Sequence, residues 1–206
     1  MNVTIRRTPE ETRSCILACA WDLFRQLGYR TTIADIAGKL EMSSANIYRF
    51  FPSKQALSEA VCASVLGTLV DAARQAAESP GAASARIRAV LLTLYHGMRD
   101  QMVNDKRVHE VVDVAMTEKW SSIDNFIQSS AMLIGELIAT GQNGDEFGPG
   151  DPGLLGKLTL GATIIIHHPT MIAQCLDTDP DVQAEAIIAF ALRALTNKSD
   201  PQGALA

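Results

Sequence analysis

Residues 28–52 constrain this chain most, because they leave room for two short helices and a turn between them. Thr32-Ile33-Ala34-Asp35 is a capping box in its acidic form. The threonine hydroxyl can accept the backbone N–H three residues on, while the carboxylate returns to the threonine amide. The helix it opens should run through Leu40. Glu41-Met42 then turns the chain, Ser43 is placed to cap a second helix over Ser44–Phe50, and Pro52 ends it. Upstream, Thr8-Pro9-Glu10-Glu11 joins a cap, a proline at the first helical position and another capping box. Ile16, Cys19, Ala20, Leu23, Phe24 and Leu27 follow at helical spacing on one face. Gly28 should end that helix in the left-handed conformation, with Tyr29 packing back. A longer helix followed by two short ones is the helix-turn-helix arrangement, whose second helix enters the DNA major groove. Here that helix is small and polar at its leading end, and Ile47 and Phe50 would anchor it to Ile33, Ile36 and Leu40.

The charge is divided in the same sense. The whole chain carries −5, yet residues 1–60 hold eight Lys/Arg against six acids, and the remainder ten against seventeen. A polyanionic partner therefore belongs on the N-terminal side. The four cysteines, Cys15, Cys19, Cys62 and Cys175, lack metal-site spacing and read as reduced thiols. The start, MNVTIRRTPEE, is polar and unlike a signal peptide, and no uninterrupted apolar run reaches ~18 residues. The expectation is a cytoplasmic protein without a membrane segment.

Helical periodicity continues to the end of the chain and no run alternates like a strand, so the fold class is all-α. Ser53 should cap a long helix that reaches about Glu78, where Ser79-Pro80-Gly81 breaks it. Further helices are expected over 83–103, 106–118, 121–141, 153–176 and 181–197, with 142–153 a loop by composition. Pro169 should kink or break the fourth of these just before it, near His167-His168. The expected organisation is a three-helix DNA-binding domain over 1–52, a connecting helix over 53–82, a second helical domain over 83–198, to which the family likeness described next assigns effector binding and dimerisation, and a disordered tail over 199–206.

Two linked motifs, T-x-x-x-I-A from Thr32 and S-x-x-x-I-Y-x-x-F-x-S-K-x-x-L from Ser43, resemble the DNA-binding domain of the TetR family of regulators. The likeness covers nearly all of residues 9–60, and Glu41-Met42 departs from it where the family more often has a glycine and a small apolar residue. The resemblance implies a transcription regulator, most often a repressor, acting on double-stranded DNA. It implies that Thr32 offers its hydroxyl and amide to a phosphate, as a helix N-terminus favours. Tyr48 and Lys54 would clamp phosphates, and Ser43, Ser44 and Ala45 would sit at the mouth of the groove. Asn46 would contact a base edge, Arg49 a base or the backbone, and Arg30 a flanking phosphate or the minor groove.

The resemblance further implies a homodimer built from the last helices. The apolar stripes that fit this are Leu158, Gly161, Ala162, Ile165 and Ile166 on one helix, and Ala186, Ile187, Phe190, Ala191, Ala194 and Leu195 on the next. A dyad would pair two recognition helices on a pseudo-palindromic operator. A small-molecule effector, of unknown identity, could be lined by Tyr95, His96, Met98, Met116, Trp120, Phe126, Met132, His167 and His168. A regulator of the same fold controlled by a protein partner is the second reading. A helical metal-dependent enzyme is a remote third, resting on His109-Glu110-Val111-Val112-Asp113, which has the spacing of a zinc-protease helix but no third ligand. No cofactor, catalytic or metal-binding residue is otherwise indicated.

Overall fold

A computed structural model describes residues 7–103, 106–175 and 179–197. The tail expected over 199–206 and part of the break at 177–180 lie outside the described residues. Ten α-helices and no strands are present among those described. They are α1 (Pro9–Leu27), α2 (Ile33–Lys39), α3 (Ser44–Phe50), α4 (Lys54–Ala77), α5 (Ala83–Met98), α6 (Lys106–Thr117), α7 (Ser121–Asn143), α8 (Pro152–Ala162), α9 (Pro169–Cys175) and α10 (Pro180–Leu195).

The chain divides into two compact units, though not where the sequence suggested. The N-terminal unit holds residues up to Val65 together with α6 and the start of α7 through Ile123. The C-terminal unit holds the rest of α4 and α7 with α5, α8, α9 and α10. α6 was expected in the second domain, but it packs on α1 and on a 3-10 turn, Gly28–Arg30, that follows α1. Val108, Val111 and Ala115 are the buried side of that helix. The charged motif His109–Asp113 is therefore a packed amphipathic helix. Among the described residues no three His, Cys, Asp or Glu converge as metal ligands.

In the N-terminal unit the caps form as their residue types require. The Thr8 hydroxyl accepts from the Glu11 amide at 3.1 Å and the Glu11 carboxylate accepts from the Thr8 amide at 2.7 Å. Ser53 Oγ accepts from the Ala56 amide at 3.0 Å and starts α4. Ile16, Leu17, Ala20, Leu23 and Phe24 are buried, while Leu27, expected with them, is 45% exposed because α1 ends there. Gly28 has φ +67 but ψ −158, so the helix closes by an extended bend rather than the expected left-handed cap. A side chain at Gly28 would be strained by that φ and would strike the Glu110 carboxylate. Thr31, buried and unremarked in the sequence, donates its hydroxyl to the Leu23 and Gly28 carbonyls at the end of α1.

α4 is long and apolar enough to cross a bilayer, against the expectation of no such segment. Its apolar residues serve instead as core: Leu57, Val61, Leu66, Leu69, Val70 and Ala73 are all buried.

The C-terminal unit departs further from the expected helices. α5 does not run on to 103 as an α-helix but widens into a π turn over Arg99–Val103. The helix expected over 153–176, with a kink or break just before Pro169, is broken there into α8 and α9, with a 3-10 turn at Ile164–Ile166 between them. Proline explains the interruption, since Pro169 cannot donate to residue 165 and starts a new helix instead. α7 and α8 approach closely at their glycines: a Cβ on Gly135 would lie 2.9 Å from the Pro152 carbonyl oxygen, and one on Gly156 would strike the Ala131 carbonyl. The segment 144–151 is tied down at several points. The Glu146 carboxylate accepts from the Ala83 and Ser84 amides at 2.7 and 2.9 Å and so caps α5. Phe147 is buried, and the Gly148 amide donates to the Leu195 carbonyl at 2.8 Å. Burial pulls the Glu146 carboxyl upward, but the Ser84 and Ala83 bonds outweigh it and hold the group below the usual carboxylate range.

Candidate nucleic-acid interface

α3 meets the N-terminal core through one buried side chain. Ile47 is fully buried, with Ile33, Ile36 and Ala37 of α2. Phe50, expected beside it, is only half-buried, and so is Leu40. The buried aromatic is Phe51, the phenylalanine of the motif that starts at Ser43, whose anchoring role helical spacing could not give because it falls just after α3. There the backbone turns extended (φ −137, ψ 108), which swings Phe51 inward under the Arg13 guanidinium, 5.0 Å from the ring centre.

The opposite face of α3 is polar and open. Ser43 caps the helix by accepting from the Asn46 amide at 3.2 Å. Ser43, Ala45, Tyr48 and Arg49 are exposed, and Ser44 and Asn46 are half-buried. The Asn46 side-chain amide has no hydrogen-bond partner among the described residues, so its donor and acceptor pair is unspent. The turn into α3 carries Glu41 at φ +54, the left-handed region that favours glycine, at the position where the family pattern and this sequence part.

Two residues expected at phosphates are held differently. Lys54 donates to the Tyr29 carbonyl and lies over the Tyr29 ring, 4.1 Å from its centre. Burial lowers its affinity for its proton. An ammonium has three donors, so two remain for a phosphate once the Tyr29 carbonyl takes one. Tyr29 thus positions the lysine, and no sequence motif announced it. Thr32 is engaged more fully: its amide and its hydroxyl both donate to Asp35 Oδ2, at 2.8 and 2.7 Å. The Thr32 bonds hold the Asp35 carboxyl below the usual range, so it stays anionic where a phosphate would have to approach. Thr32 is accordingly the residue whose expected role fits the free geometry least. Arg30 is exposed at the end of the 3-10 turn.

The residues expected in the C-terminal domain separate by burial. On α8 and α10, Leu158 is 58% and Phe190 68% exposed, Ala162, Ala186 and Ala194 are exposed and Ile187 is half-buried, as is Ile165 in the 3-10 turn after α8. Ala191 and Leu195, read as part of the same stripe, face inward with Ala184 and Ile188, as does Ile166. Of the candidate effector contacts, Tyr95, Trp120, Phe126 and His167 are buried and His96 and His168 half-buried. Met116 and Met132 are exposed and line no interior, and Met116 and Trp120 belong to the N-terminal unit. Their helical spacing matched a pocket wall, but periodicity alone does not say which neighbour a face meets. Cys19 and Cys62 are buried thiols, whereas Cys175 is exposed.

Comparison with known proteins agrees with this arrangement over both units. Residues 16–61 match the model of bacterial regulatory proteins of the tetR family, and residues 83–188 match that of the tetracyclin repressor-like C-terminal domain. The chain belongs to the TetR family and is a DNA-binding transcription regulator. Among solved structures, a TetR-family regulator from Pectobacterium atrosepticum is 20% identical with a TM-score of 0.70, covering 92% of this chain and 98% of its own. The fatty acid degradation regulator FadR from Bacillus halodurans is 16% identical with a TM-score of 0.69, covering 91% and 96%. RolR in complex with resorcinol is 17% identical with a TM-score of 0.65, covering 90% and 88%. At these identities the likeness is one of fold. Against curated protein sequences, nothing matches.

Proposed function

We propose that this regulator is a repressor that binds a pseudo-palindromic operator as a homodimer and releases it when a small molecule occupies the C-terminal unit. The observation that carries the reading is the division of α3 into one fully buried anchor, Ile47, and an open polar face with Asn46 unspent. Such a helix is fixed to its scaffold yet free to meet base edges, and an asparagine amide matches adenine N6 and N7 in a bidentate pair. Leu158 and Phe190, large apolar side chains exposed on two helices that pack on each other, support a second copy as the partner of α8 and α10. RolR, of the same fold, is seen with resorcinol, which supports a small effector here. The effector would act by binding the DNA-incompetent arrangement better, shifting the population by no more than its differential affinity.

Selection of bound DNA from a random pool tests this. The expected product is a pseudo-palindrome with half-sites about one helical turn, ~34 Å, apart. One protomer on a non-symmetric site would overturn it. In the same assay Asn46→Ala should relax one base preference per half-site at a cost of ~1–3 kcal/mol. Lys54→Ala should weaken all sequences alike and lower the salt slope by about one.

A further inference from the structure

The turn between α8 and α9 buries a polar group that the fold itself leaves unused. His167 is 3% exposed, and only one of its ring nitrogens has a partner: Nε2 lies 3.1 Å from Thr163 Oγ1. The direction of that bond follows from Thr163. Its hydroxyl proton is already given to the Thr159 carbonyl at 2.9 Å, with the Leu160 carbonyl at 3.2 Å. Oγ1 can then only accept from the imidazole, so Nε2 carries the hydrogen. Nδ1 is left with a lone pair, and it is buried without any hydrogen-bond partner. Burial also keeps the ring neutral, pushing its pKa down to about 3. His168 Nδ1, on the next residue, is likewise buried and unpartnered.

A buried acceptor without a donor is uncommon in a finished core, because it has lost water and gained nothing. Ile166 before it and Ile172 on α9 are buried apolar groups that offer no donor, and Pro169 has no N–H to give. A carboxylate would bring a second set of lone pairs against Nδ1, and a cation would be taken from water into an apolar setting. The complementary group is a neutral O–H carried on an apolar body.

We infer that His167 is a specificity residue of the effector site, its Nδ1 accepting a hydrogen bond from the hydroxyl of a neutral, largely apolar alcohol or phenol. This rests on the reading of the C-terminal unit as effector-binding. Thr163 is a positioning residue, fixing the tautomer that makes Nδ1 an acceptor. Carboxylic acids of the same skeleton are excluded by the same lone pair.

Nitrogen NMR on the full-length protein, labelled at its four histidines, reads both the tautomer and the contact. The probes are phenol, anisole and benzoate, and octanol, its methyl ether and octanoate, with operator release measured in parallel. The expected result is an Nε2–H tautomer at His167 in the free protein and an Nδ1 resonance that moves when phenol or octanol is added. The methyl ethers should bind about 10- to 100-fold more weakly, the loss of one buried hydrogen bond, and the acids not measurably. Thr163→Val should abolish the Nδ1 shift while the protein stays folded, whereas loss of an indirect packing effect would leave that shift in place. A hydrogen on Nδ1, acids that bind as well as alcohols, or an Nδ1 already bonded to water and unmoved by probes would each overturn the inference. If ethers and alcohols release the operator equally, the inference fails and the effector reading survives. If octanol or phenol moves Nδ1 without releasing DNA, the reverse holds.

Discussion

The two units of this protein rest on local and distant bonds in different proportion. In the N-terminal unit the helix caps come from residues three positions away: Thr8 with Glu11, Thr32 with Asp35, Ser43 with Asn46, and Ser53 with Ala56. In the C-terminal unit α8 and α10 are capped locally by Asp151 and Asp179, but the cap of α5 comes from Glu146, 63 residues on, and Arg88 pairs with Glu185, 97 residues on. The N-terminal unit caps its helices locally, Glu59 with Ser121 being a longer tie within it, and presents a surface. The C-terminal unit joins distant segments and leaves His167 Nδ1 inside without a partner, as the N-terminal unit leaves His109 Nε2. A reading head needs a rigid, repeatable shape, which short-range bonds supply. A sensor needs a site that a ligand completes.

The largest expected effect tests the local head. Ile47→Ala empties the one fully buried contact of α3 and should cost ~2–5 kcal/mol. Chemical denaturation would measure it, together with loss of operator affinity. A cost below about 1 kcal/mol would mean that the caps, not the core, hold α3. Next comes the long-range unit: Gly156→Ala places a methyl against the Ala131 carbonyl, where two backbones meet, and should cost about 1–3 kcal/mol. An unchanged melting temperature would show that α7 and α8 can separate freely.

Acid should separate the units by a different route. His167 has a folded pKa lowered from 6.5 to about 3, so the unfolded chain binds its proton first. Its contribution is complete above pH ~6.5 and is lost as pH falls towards 3, by up to ~1.4 kcal/mol per pH unit. Urea titrations from pH 7 to 4 on wild type and His167→Gln should show this slope in the first and less in the second. Equal slopes would place the acid sensitivity elsewhere. The smallest effect belongs to the turn. Glu41→Gly relieves a left-handed glutamate and should stabilise the N-terminal unit by about 0.5–1 kcal/mol, once the extra freedom of the unfolded glycine is set against it. A lower melting temperature would show that the Glu41 side chain contributes more than its backbone costs.

The same contrast decides what could be read from residues alone. Caps and turns lie within four residues of one another, so α1, α2 and α3 and the polar face of α3 were legible down to the capping atoms. The misses in that unit come where the backbone leaves helical geometry, at Leu27, Gly28 and Phe51, since a periodicity argument assumes the period continues. In the C-terminal unit the stripe on α10 was visible, but its division into Phe190 outside and Ala191 and Leu195 inside depends on what α5 and α8 present. The exposure of Met116 was illegible for the same reason: α6 carries an apolar face whose partner, α1, is about ninety residues upstream. The engagement of Thr32 by Asp35 was half legible, because the capping box was read but its cost to phosphate contact was not drawn.

The segment after α7 has a practical consequence. Its composition, rich in Gly, Asp and Pro, is what an engineer would choose for splicing in a reporter domain or for a new chain terminus. Its backbone and side chains, however, hold the first turn of α5 through Glu146, fill a space beside Gly141 with Phe147, and reach the last turn of α10 through Gly148. Lengthening it would loosen three helices at once. A biosensor made from this regulator should carry its insertion elsewhere, at the exposed break around Ser79 and Gly81, where no such ties are made to α10.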